Sequence, residues 1–404
     1  MKQFRRVLAA ELISNFGSML TRLVIPWIAT LSLAATPFDM GLLLVADVLA
    51  GALGALALGT LVDRWSARRV MIAADLLRAV LIGLLALAAW SGLVSMPLLL
   101  AAAAASGLAT MAFELARSAW MARALPAHEL ATRNSQLAGA SAVTESVSFG
   151  IGGWIYQALG GALSLAVDAA SYVASALCLA RIDDPEPAAP AQRWPGARGW
   201  LAEARAGLAT LADDPTLRAL AWLHGVVTLG GSLAGTSYMI YVSRDLALDP
   251  GVLGMIFAVG GAGSALGAAC APRLGRRFGE RAALVAGVAV LAVGSLMIPL
   301  ATGAGAFAIG LLVGHQLVGD AGQTVHDIYD RTLRQTIAPA DRLARIDAGI
   351  RTLGQIATLA GALGGGALAT ALGARAALFL AAGLFGLAAC FAFVTLLRQA
   401  ARPR

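Results

Sequence analysis

Long apolar runs, broken by short groups of charged, glycine and proline residues, recur along the whole chain. Each run is close to the roughly 20 residues that an α-helix needs to cross the hydrocarbon core of a membrane. The runs do not alternate in ten-residue units, as the strands of a membrane β-barrel would. The pattern predicts twelve transmembrane helices, numbered here span 1 to span 12, at residues 10–33, 39–61, 70–91, 96–116, 135–158, 162–180, 219–242, 252–271, 282–301, 304–326, 347–371 and 376–397.

The composition agrees with this pattern. Hydrophobic residues make up 59% of the 404 residues and charged residues 13%, and the mean hydropathy is +0.76. A soluble domain is about 25% charged, so this chain has too few charges to cover a surface that faces water. We therefore expect an all-α polytopic membrane protein.

The residue counts also exclude whole chemistries. Lys2 is the only lysine, so the chain cannot form a Walker A loop for ATP or, away from its N-terminal tip, a lysine Schiff base. The three cysteines (Cys178, Cys270 and Cys390) lie far apart in apolar stretches. They are typical of buried apolar side chains rather than of metal ligands or disulfides. We expect no metal and no cofactor.

The basic residues follow the predicted spans. The two termini and the even-numbered connections hold 25 of the 30 Lys and Arg residues, and the odd-numbered connections hold only Arg244 and Arg375. The positive-inside rule then places both termini and every even-numbered connection in the cytoplasm. The net charge of +7 therefore follows from topology, and we expect no nucleic-acid partner.

The longest connection, residues 181–217, follows span 6. Trp200, Ala204, Leu208 and Leu211 recur there at helical spacing, which predicts a short amphipathic helix on the cytoplasmic membrane surface. A disordered linker is the alternative. The connection divides the chain into an N-terminal six-helix bundle (1–180), a linker (181–217) and a C-terminal six-helix bundle (218–404).

The two halves are similar in sequence. A single gapless offset of 213 residues aligns glycines, prolines and basic connections throughout the chain. Gly17 matches Gly230, Gly41 matches Gly254, and the pairs Gly152-Gly153 and Gly365-Gly366 match each other. Parallel repeats of six spans meeting at a central cavity are a known layout of membrane transporters.

A motif after span 2 resembles a family signature. The segment Gly59-Thr60-Leu61-Val62-Asp63-Arg64-Trp65-Ser66-Ala67-Arg68-Arg69 is similar to the cytoplasmic signature of the major facilitator superfamily, with Ser66 in place of the middle glycine. Its repeat partner, Pro272-Arg273-Leu274-Gly275-Arg276-Arg277, keeps the basic part and lacks the Asp. The resemblance implies two pseudo-symmetric six-helix bundles that rock about a central cavity.

Three further stretches resemble the drug:proton antiporter-3 branch, which includes macrolide and siderophore exporters. They are Ser14-Asn15-Phe16-Gly17, Asp168-Ala169-Ala170-Ser171-Tyr172, and Thr332-Leu333-Arg334-Gln335 followed by Pro339. The resemblance implies a monomeric exporter in the bacterial cytoplasmic membrane, with a small-molecule substrate, protons and membrane lipid as its partners. Two features depart from that pattern: the segment Ser148–Gly153 lacks the proline of the antiporter signature, and residues 96–113 of span 4 carry no Arg.

Charged residues inside the spans are candidates for coupling transport to protons. An ionised group near the bilayer centre costs about 2.5–3.5 kcal/mol on insertion scales, so each needs a reason. Arg22, Asp47 and Glu145 lie in spans 1, 2 and 5, which line the cavity in the family. We expect Arg22 to pair with Glu145 or Asp47, where substrate or a proton competes for the carboxylate. A permanent structural ion pair is the alternative.

Span 10 contributes Asp320, with His315 five residues earlier. At that spacing the two side chains do not share a helix face well, so a proton relay competes with an Asp320–Arg351 pair or an aqueous position. Asp168 in span 6 is expected to be structural. Asp75 and Arg78, one turn apart in span 3, predict a local ion pair, and His224 is expected to serve packing.

The predicted cytoplasmic gate combines the signature with two acidic repeat partners. Glu114 and Asp327 end spans 4 and 10 beside basic connections, where they can pair with Arg64 or Arg68 and with Arg276 or Arg277. Simple charge balance is the alternative. The full predicted gate is Gly59, Asp63, Arg64, Arg68, Glu114, Arg277 and Asp327.

Taken together, these features favour a secondary transporter, with proton-coupled efflux of amphipathic small molecules by alternating access as the main hypothesis. An uncoupled facilitator or importer of a small metabolite is the alternative, and a lipid scramblase is a remote one. An intramembrane enzyme is disfavoured, because His128-Glu129 lacks the second His of a metalloprotease motif and the chain has no Gly-x-Ser-x-Gly.

Overall fold

The computed structural model describes residues 2–183, 199, 214–338 and 342–397. The side chains at positions 55–64, 127, 131, 344 and 345 are outside that description. Within the described chain the regular secondary structure is entirely helical. The helices are Lys2–Trp27, Pro37–Arg64, Ala67–Trp90, Met96–Ala124, Ala127–Leu179, Pro215–Ile240, Pro250–Phe278, Glu280–Leu300, Ala306–Ile337, Leu343–Leu372 and Ala374–Ala392.

Nine helices of the described chain are long and apolar enough to cross a membrane. One of them, His128–Leu179, contains spans 5 and 6, and its helical course breaks at Gly160 with φ 74° and ψ 174°. The helices of spans 7 and 10 are not among the nine. Span 10 falls short because it carries the polar residues His315, Gln316, Asp320 and Gln323. The all-α polytopic fold predicted from the sequence is confirmed.

The chain forms two compact units. Unit 1 comprises Met1–Ala35, Leu42–Trp194 and Asp249–Ala258, and unit 2 comprises Thr36–Gly41, Pro195–Leu248 and Val259–Arg404. The first residues of span 2 therefore belong to unit 2, and the rest of span 2 belongs to unit 1. Likewise, the first residues of span 8 belong to unit 1, and the rest of span 8 belongs to unit 2. The predicted surface helix from Trp200 to Leu211 lies outside the described residues.

Each unit has its own apolar core. In unit 1, spans 1 and 3 pack on the helix Ala127–Leu179, and span 4 packs on span 3. Phe113 and Trp120 of span 4 contribute to a core that also holds Phe4 and Met71. In unit 2, span 10 packs on span 9, span 11 on span 7, and span 12 on spans 7 and 9. These are the same pairings as in unit 1 once each span number is raised by six.

The offset of 213 residues is visible in the backbone itself. A π-helical turn ends span 1 at Ile28–Ser32, and another ends span 7 at Tyr241–Asp245. Ala34 and Ala247, the next equivalent pair, are the non-glycine residues with positive φ in the described chain, at 50° and 52°. An alanine rarely adopts this conformation, so its recurrence at the equivalent position shows that the repeat is structural.

Close contacts at glycine explain where the units divide. Inside unit 2, Gly41 of span 2 lies against the Ala362 backbone of span 11. Inside unit 1, Gly254 of span 8 lies against the Phe149 backbone of span 5, with a Cβ at Gly254 placed only 2.6 Å from that carbonyl oxygen. The two contacts are equivalent under the offset of 213. Small residues permit such approach between membrane helices, so the start of each span joins the unit that it contacts.

Neighbouring glycines in span 11 allow a direct test of such contacts. A Cβ at Gly365 would lie 2.7 Å from the Leu233 Cα, whereas a Cβ at Gly364 has nothing within 4 Å. We expect Gly365→Val to destabilise unit 2 by about 1–3 kcal/mol, because the backbone of span 7 must move away. Gly364→Val is the matched control, since it makes the same change in helix propensity. Equal melting temperatures of the two purified variants would contradict the packing role.

Candidate functional site

Two carboxylates lie at equivalent places in the two units. Asp47 of span 2 packs against Gly107 of span 4, where a Cβ would lie 2.7 Å from the carboxylate Oδ1. Asp320 of span 10 packs against Gly260 of span 8, where a Cβ would meet the carboxylate Oδ2. The offset of 213 relates Asp47 to Gly260 and Gly107 to Asp320. A carboxylate thus lies between the second and fourth spans of each half. It comes from the second span in unit 1 and from the fourth span in unit 2.

The surroundings of Asp47 include one cation. Arg22 acts on Asp47 electrostatically, and its own side chain is exposed. Within the described part of the chain, Arg22 has no ion pair at 4 Å or less, and neither does Glu145, which is also exposed. The expected contact between Arg22 and a carboxylate is therefore not formed in this conformation. The proposed roles of these three residues stay predictions.

Asp320 lies in a polar pocket of unit 2. Gln316 is one turn earlier on the same face, where its Nε2 and the Asp320 carboxylate both lie against Gly260. Tyr238 of span 7 is close enough to interact electrostatically with Asp320. His315 points elsewhere, with its Nδ1 3.1 Å from the carbonyl oxygen of Gly294 in span 9. The expectation that His315 and Asp320 do not share a face is confirmed.

The predicted gate is only partly within the described residues. Gly59, Asp63 and Arg64 end the helix Pro37–Arg64, but their side chains are outside the description. Asp327 accepts a hydrogen bond from Gln323 Nε2 at 2.8 Å. Arg277 lies over the Phe278 ring, with its guanidinium carbon 5.2 Å from the ring centroid. Glu114 is exposed and Arg68 half-buried, so the gating role of this set stays a prediction.

Ser66, which replaces the middle glycine of the family signature, has a local structural role. It precedes the helix Ala67–Trp90, and its Oγ accepts a hydrogen bond from the backbone N–H of Arg69 at 3.1 Å. A serine at this position satisfies one of the free N–H groups of the helix start. The departure from the signature therefore keeps the turn between spans 2 and 3.

Sequence reasoning missed a pair of equivalent ion pairs. In unit 1, Arg117 of span 4 donates to Glu11 of span 1. In unit 2, His224 Nδ1 of span 7 lies 3.5 Å from Asp330 Oδ2 in the helix of span 10. The offset of 213 relates Glu11 to His224 and Arg117 to Asp330, so the carboxylate and the basic side chain are exchanged between the two helices. The expectation that His224 only serves packing is wrong.

Arg334 extends the unit 2 pair into a network. Its guanidinium contacts Asp330 and Asp347, each at 2.9 Å, and so joins the helix of span 10 to that of span 11. Asp330 lies beyond the end of predicted span 10 and is buried. Burial disfavours its ionised form, but the hydrogen bond with His224 and the charge of Arg334 prevail and hold the pKa of Asp330 below its usual range. Arg334 belongs to the Thr332–Gln335 stretch noted in the sequence.

In span 3, Arg78 pairs with Asp75 one turn away, and both are buried. The predicted local ion pair is confirmed. Two repeated six-span halves are a layout typical of membrane transporters.

The chain belongs to the Major Facilitator Superfamily, whose family model matches residues 7–323. No curated protein sequence matches the chain.

Solved structures of transporters share its fold. A nucleoside transporter, NupG, has a TM-score of 0.78 at 12% identity, covering 98% of this chain and 100% of its own. A bacterial metal transporter has a TM-score of 0.73 at 17% identity, covering 100% and 99%. A bacterial homologue of the iron transporter ferroportin, in an inward-facing state, has a TM-score of 0.73 at 16% identity, covering 96% and 98%. At these identities the likeness concerns the fold alone.

The two carboxylates on Arg334 differ mainly in burial, which makes them a matched pair. The Asp330 side chain is 3% exposed and that of Asp347 is 45% exposed. We expect Asp330→Asn to cost about 3–5 kcal/mol, because it leaves a mostly buried guanidinium without its buried partner. Asp347→Asn should cost about 0–1 kcal/mol, as exposed pairs do. Chemical or thermal unfolding of the two variants measures the difference.

The pH dependence of unfolding provides the internal control. Because folding lowers the pKa of Asp330, its stabilisation is present above the pKa of the unfolded chain and is lost as the pH falls through the folded value. The wild-type protein should lose this increment in acid, and Asp330→Asn should not. Parallel pH profiles for both proteins would contradict the role of Asp330.

Proposed function

We propose that the protein is a proton-coupled exporter of amphipathic small molecules that works by alternating access. The observation that carries the proposal is the equivalent placement of Asp47 and Asp320 against glycines of neighbouring spans. Ionisable groups within membrane spans are costly and typically mark ion or substrate pathways. A carboxylate at the same interhelical position in each half gives each half a group that can bind a proton or a cationic part of a substrate.

Arg22 and Glu145 complete the proposed coupling set. Both side chains are exposed in this conformation, and they form no ion pair with each other. The charge of Arg22 in span 1 interacts electrostatically with the carboxylate of Asp47 in span 2. In the proposed cycle, substrate and proton compete for these carboxylates, and occupation by one changes the affinity for the other.

The proposed substrate is an amphipathic organic molecule. The resemblance of three stretches to exporters of macrolides and siderophores supports an amphipathic organic molecule. The similar structures include transporters described for metals, iron and nucleosides. Among the described residues, no group of three or more His, Cys, Asp or Glu side chains is arranged to hold a metal ion. An uncoupled facilitator or importer is the alternative. Accumulation of substrate under an imposed pH gradient distinguishes it from a proton-coupled exporter.

The proposal includes a location and a topology. The basic residues at the termini and even-numbered connections support a bacterial cytoplasmic membrane location with both termini inside. The protein is proposed to act as a monomer, with the set around Asp63 closing the cytoplasmic side.

Glu145 provides the test of coupling. We expect Glu145→Gln to bind substrate but to lose accumulation driven by a pH gradient, because the neutral side chain mimics a permanently protonated state. Counterflow of labelled substrate in proteoliposomes should survive, because it needs no net proton movement. Glu280→Gln, the same change at the start of the helix Glu280–Leu300, is the control and should leave both activities intact.

Two outcomes would redirect or refute this proposal. If Glu145→Gln still concentrates substrate when only a pH gradient is imposed, coupling does not need Glu145, and Asp47→Asn and Asp320→Asn are tested next. If wild-type protein equilibrates substrate but never concentrates it under a pH gradient, the uncoupled facilitator replaces the exporter.

Asp63 provides the test of the gate. We expect Asp63→Asn to insert and fold normally and to lower transport at least tenfold, because the family signature implies that its carboxylate makes ion pairs on the cytoplasmic side. Asp39→Asn, at the other end of the same helix, is the control. Full transport by a normally expressed Asp63→Asn protein would exclude the gating role.

A further inference from the structure

Two of the stretches that resemble the exporter branch meet inside unit 1. Gly17, which ends the stretch Ser14–Gly17 of span 1, lies directly against the side chains of Asp168 and Ser171 in span 6. A Cβ at position 17 would occupy the space of the Asp168 carboxyl group. Asp168 is fully buried there, with 0% of its surface exposed. The glycine therefore makes room for a carboxyl group in the interior of the N-terminal half.

The hydrogen bonds around Asp168 can be counted. Thr21 donates its hydroxyl hydrogen to Asp168 Oδ2. The Ser171 hydroxyl lies 2.8 Å from the Asp168 carbonyl oxygen and 3.2 Å from Asp168 Oδ1. A serine hydroxyl has one hydrogen to donate but can also accept. That single hydrogen can serve only one of these two oxygens fully, so when it goes to the nearer carbonyl oxygen the contact between Ser171 and Oδ1 leaves room for a hydrogen on Asp168.

Neighbouring donors are used elsewhere. Ser18 donates to the carbonyl oxygen of Ser14 at 2.7 Å, so the 2.8 Å contact between Ser18 Oγ and Tyr172 Oη uses the tyrosine hydrogen. Arg78 donates to Asp75, and its guanidinium lies over the Tyr172 ring at 4.4 Å. The nearby cation therefore makes its ion pair with Asp75 and not with Asp168.

We propose that Asp168 is a proton-binding site, and that its carboxyl group carries a proton in this conformation at neutral pH. The protonated group donates from Oδ1 to Ser171 and accepts from Thr21 at Oδ2, so the hydroxyl hydrogens of Thr21 and Ser171 and the proton of Asp168 each have an acceptor. Arg78 and Asp75 of span 3 are the charged groups that act on Asp168. With Arg78 and Asp75 ionised and Asp168 neutral, the buried network has no net charge, as a membrane interior requires.

The C-terminal half shows that packing does not require this carboxyl group. At the equivalent junction, Gly230 lies against the Phe385 ring, and Ala381 occupies the position of Asp168. Val288 and Leu291 stand in the places of Asp75 and Arg78. All four of these apolar side chains are buried in the core of unit 2. The same helix junction thus forms from apolar residues alone, and the polar version in unit 1 serves a purpose other than packing.

A groove connects the network to the outside of unit 1. Its volume is about 380 Å³, and it lies between spans 1 and 5 with Ser171 in its lining. Phe16 and Thr144 form part of its walls. Ser171 is therefore both a surface group of the groove and the acceptor of the Asp168 proton.

Infrared difference spectroscopy tests the bound proton directly. We expect the wild-type protein at neutral pH to show the carbonyl stretch of a buried carboxylic acid, shifted in D₂O, and Asp168→Asn to lack this band. Asp39→Asn is the control: its carboxylate accepts hydrogen bonds from the backbone N–H and the hydroxyl of Thr36, so it should lose carboxylate bands only. If Asp168→Asn loses carboxylate bands instead, Asp168 is ionised and the proposal is wrong.

Thermal stability gives an independent reading. Asparagine reproduces the protonated group, with an oxygen that accepts from Thr21 and an amide that donates to Ser171. We expect Asp168→Asn to melt within about a degree or two of wild type and Asp168→Ala to melt clearly lower. A loss in Asp168→Asn as large as that in Asp168→Ala would mean that both oxygens must accept, which contradicts a bound proton.

A role of Asp168 in transport rests on the proposed proton coupling. The presence of a proton on Asp168 does not depend on that coupling. If coupling uses Asp168, Asp168→Asn should lose accumulation driven by a pH gradient and keep counterflow. An acid band at Asp168 in a protein that never concentrates substrate would uphold the site and refute the coupling. A missing acid band in a protein that does concentrate substrate would refute the site and leave the coupling intact.

Discussion

Close approach of helix backbones is the constraint on which this structure depends. Membrane helices gain little by burying apolar side chains against each other, because lipid is equally apolar, so their association relies on tight packing and internal hydrogen bonds. Glycine supplies the approach here at repeated positions: Gly41 and Gly254 bring two spans against backbones of spans 11 and 5. The same device gives space to carboxyl groups, since Gly107, Gly260 and Gly17 each face one. Packing and candidate chemistry therefore share one sequence feature.

The repeat fixes where side chains lie but not which helix supplies them. Asp47 faces Gly107 in one unit, whereas in the other the glycine is on the second span and the carboxylate on the fourth. Glu11 and Arg117 are likewise replaced by His224 and Asp330, with the charges exchanged. An interhelical ion pair or a carboxylate beside a glycine is defined by the two facing positions together. Either helix can therefore provide the charged member, provided that the other provides its complement.

Much of the fold could be predicted from the sequence, because hydropathy, the positive-inside bias and the offset of 213 are all properties of the chain read in order. The offset even anticipates the equivalence of Ala34 and Ala247, whose backbones share an unusual conformation. The partners of the charged side chains could not be predicted in the same way. His224 looked like a packing residue because nothing in its own span marks Asp330 as its neighbour. A search for complementary charges at repeat-related pairs of positions would have found both this pair and that of Glu11 with Arg117.

The difference between the halves is most informative where one is polar and the other apolar. A buried polar network is tolerated in a membrane only when its hydrogen bonds and charges are satisfied, since each unsatisfied group costs free energy. Unit 2 avoids this cost with Ala381, Val288 and Leu291, whereas unit 1 accepts it at Asp168, Asp75 and Arg78. Both junctions hold equivalent helices together, so the polar groups in unit 1 cost free energy without being needed for the packing. A change in protonation or charge is what a polar junction can provide and an apolar one cannot, and the proposed proton site at Asp168 rests on this asymmetry.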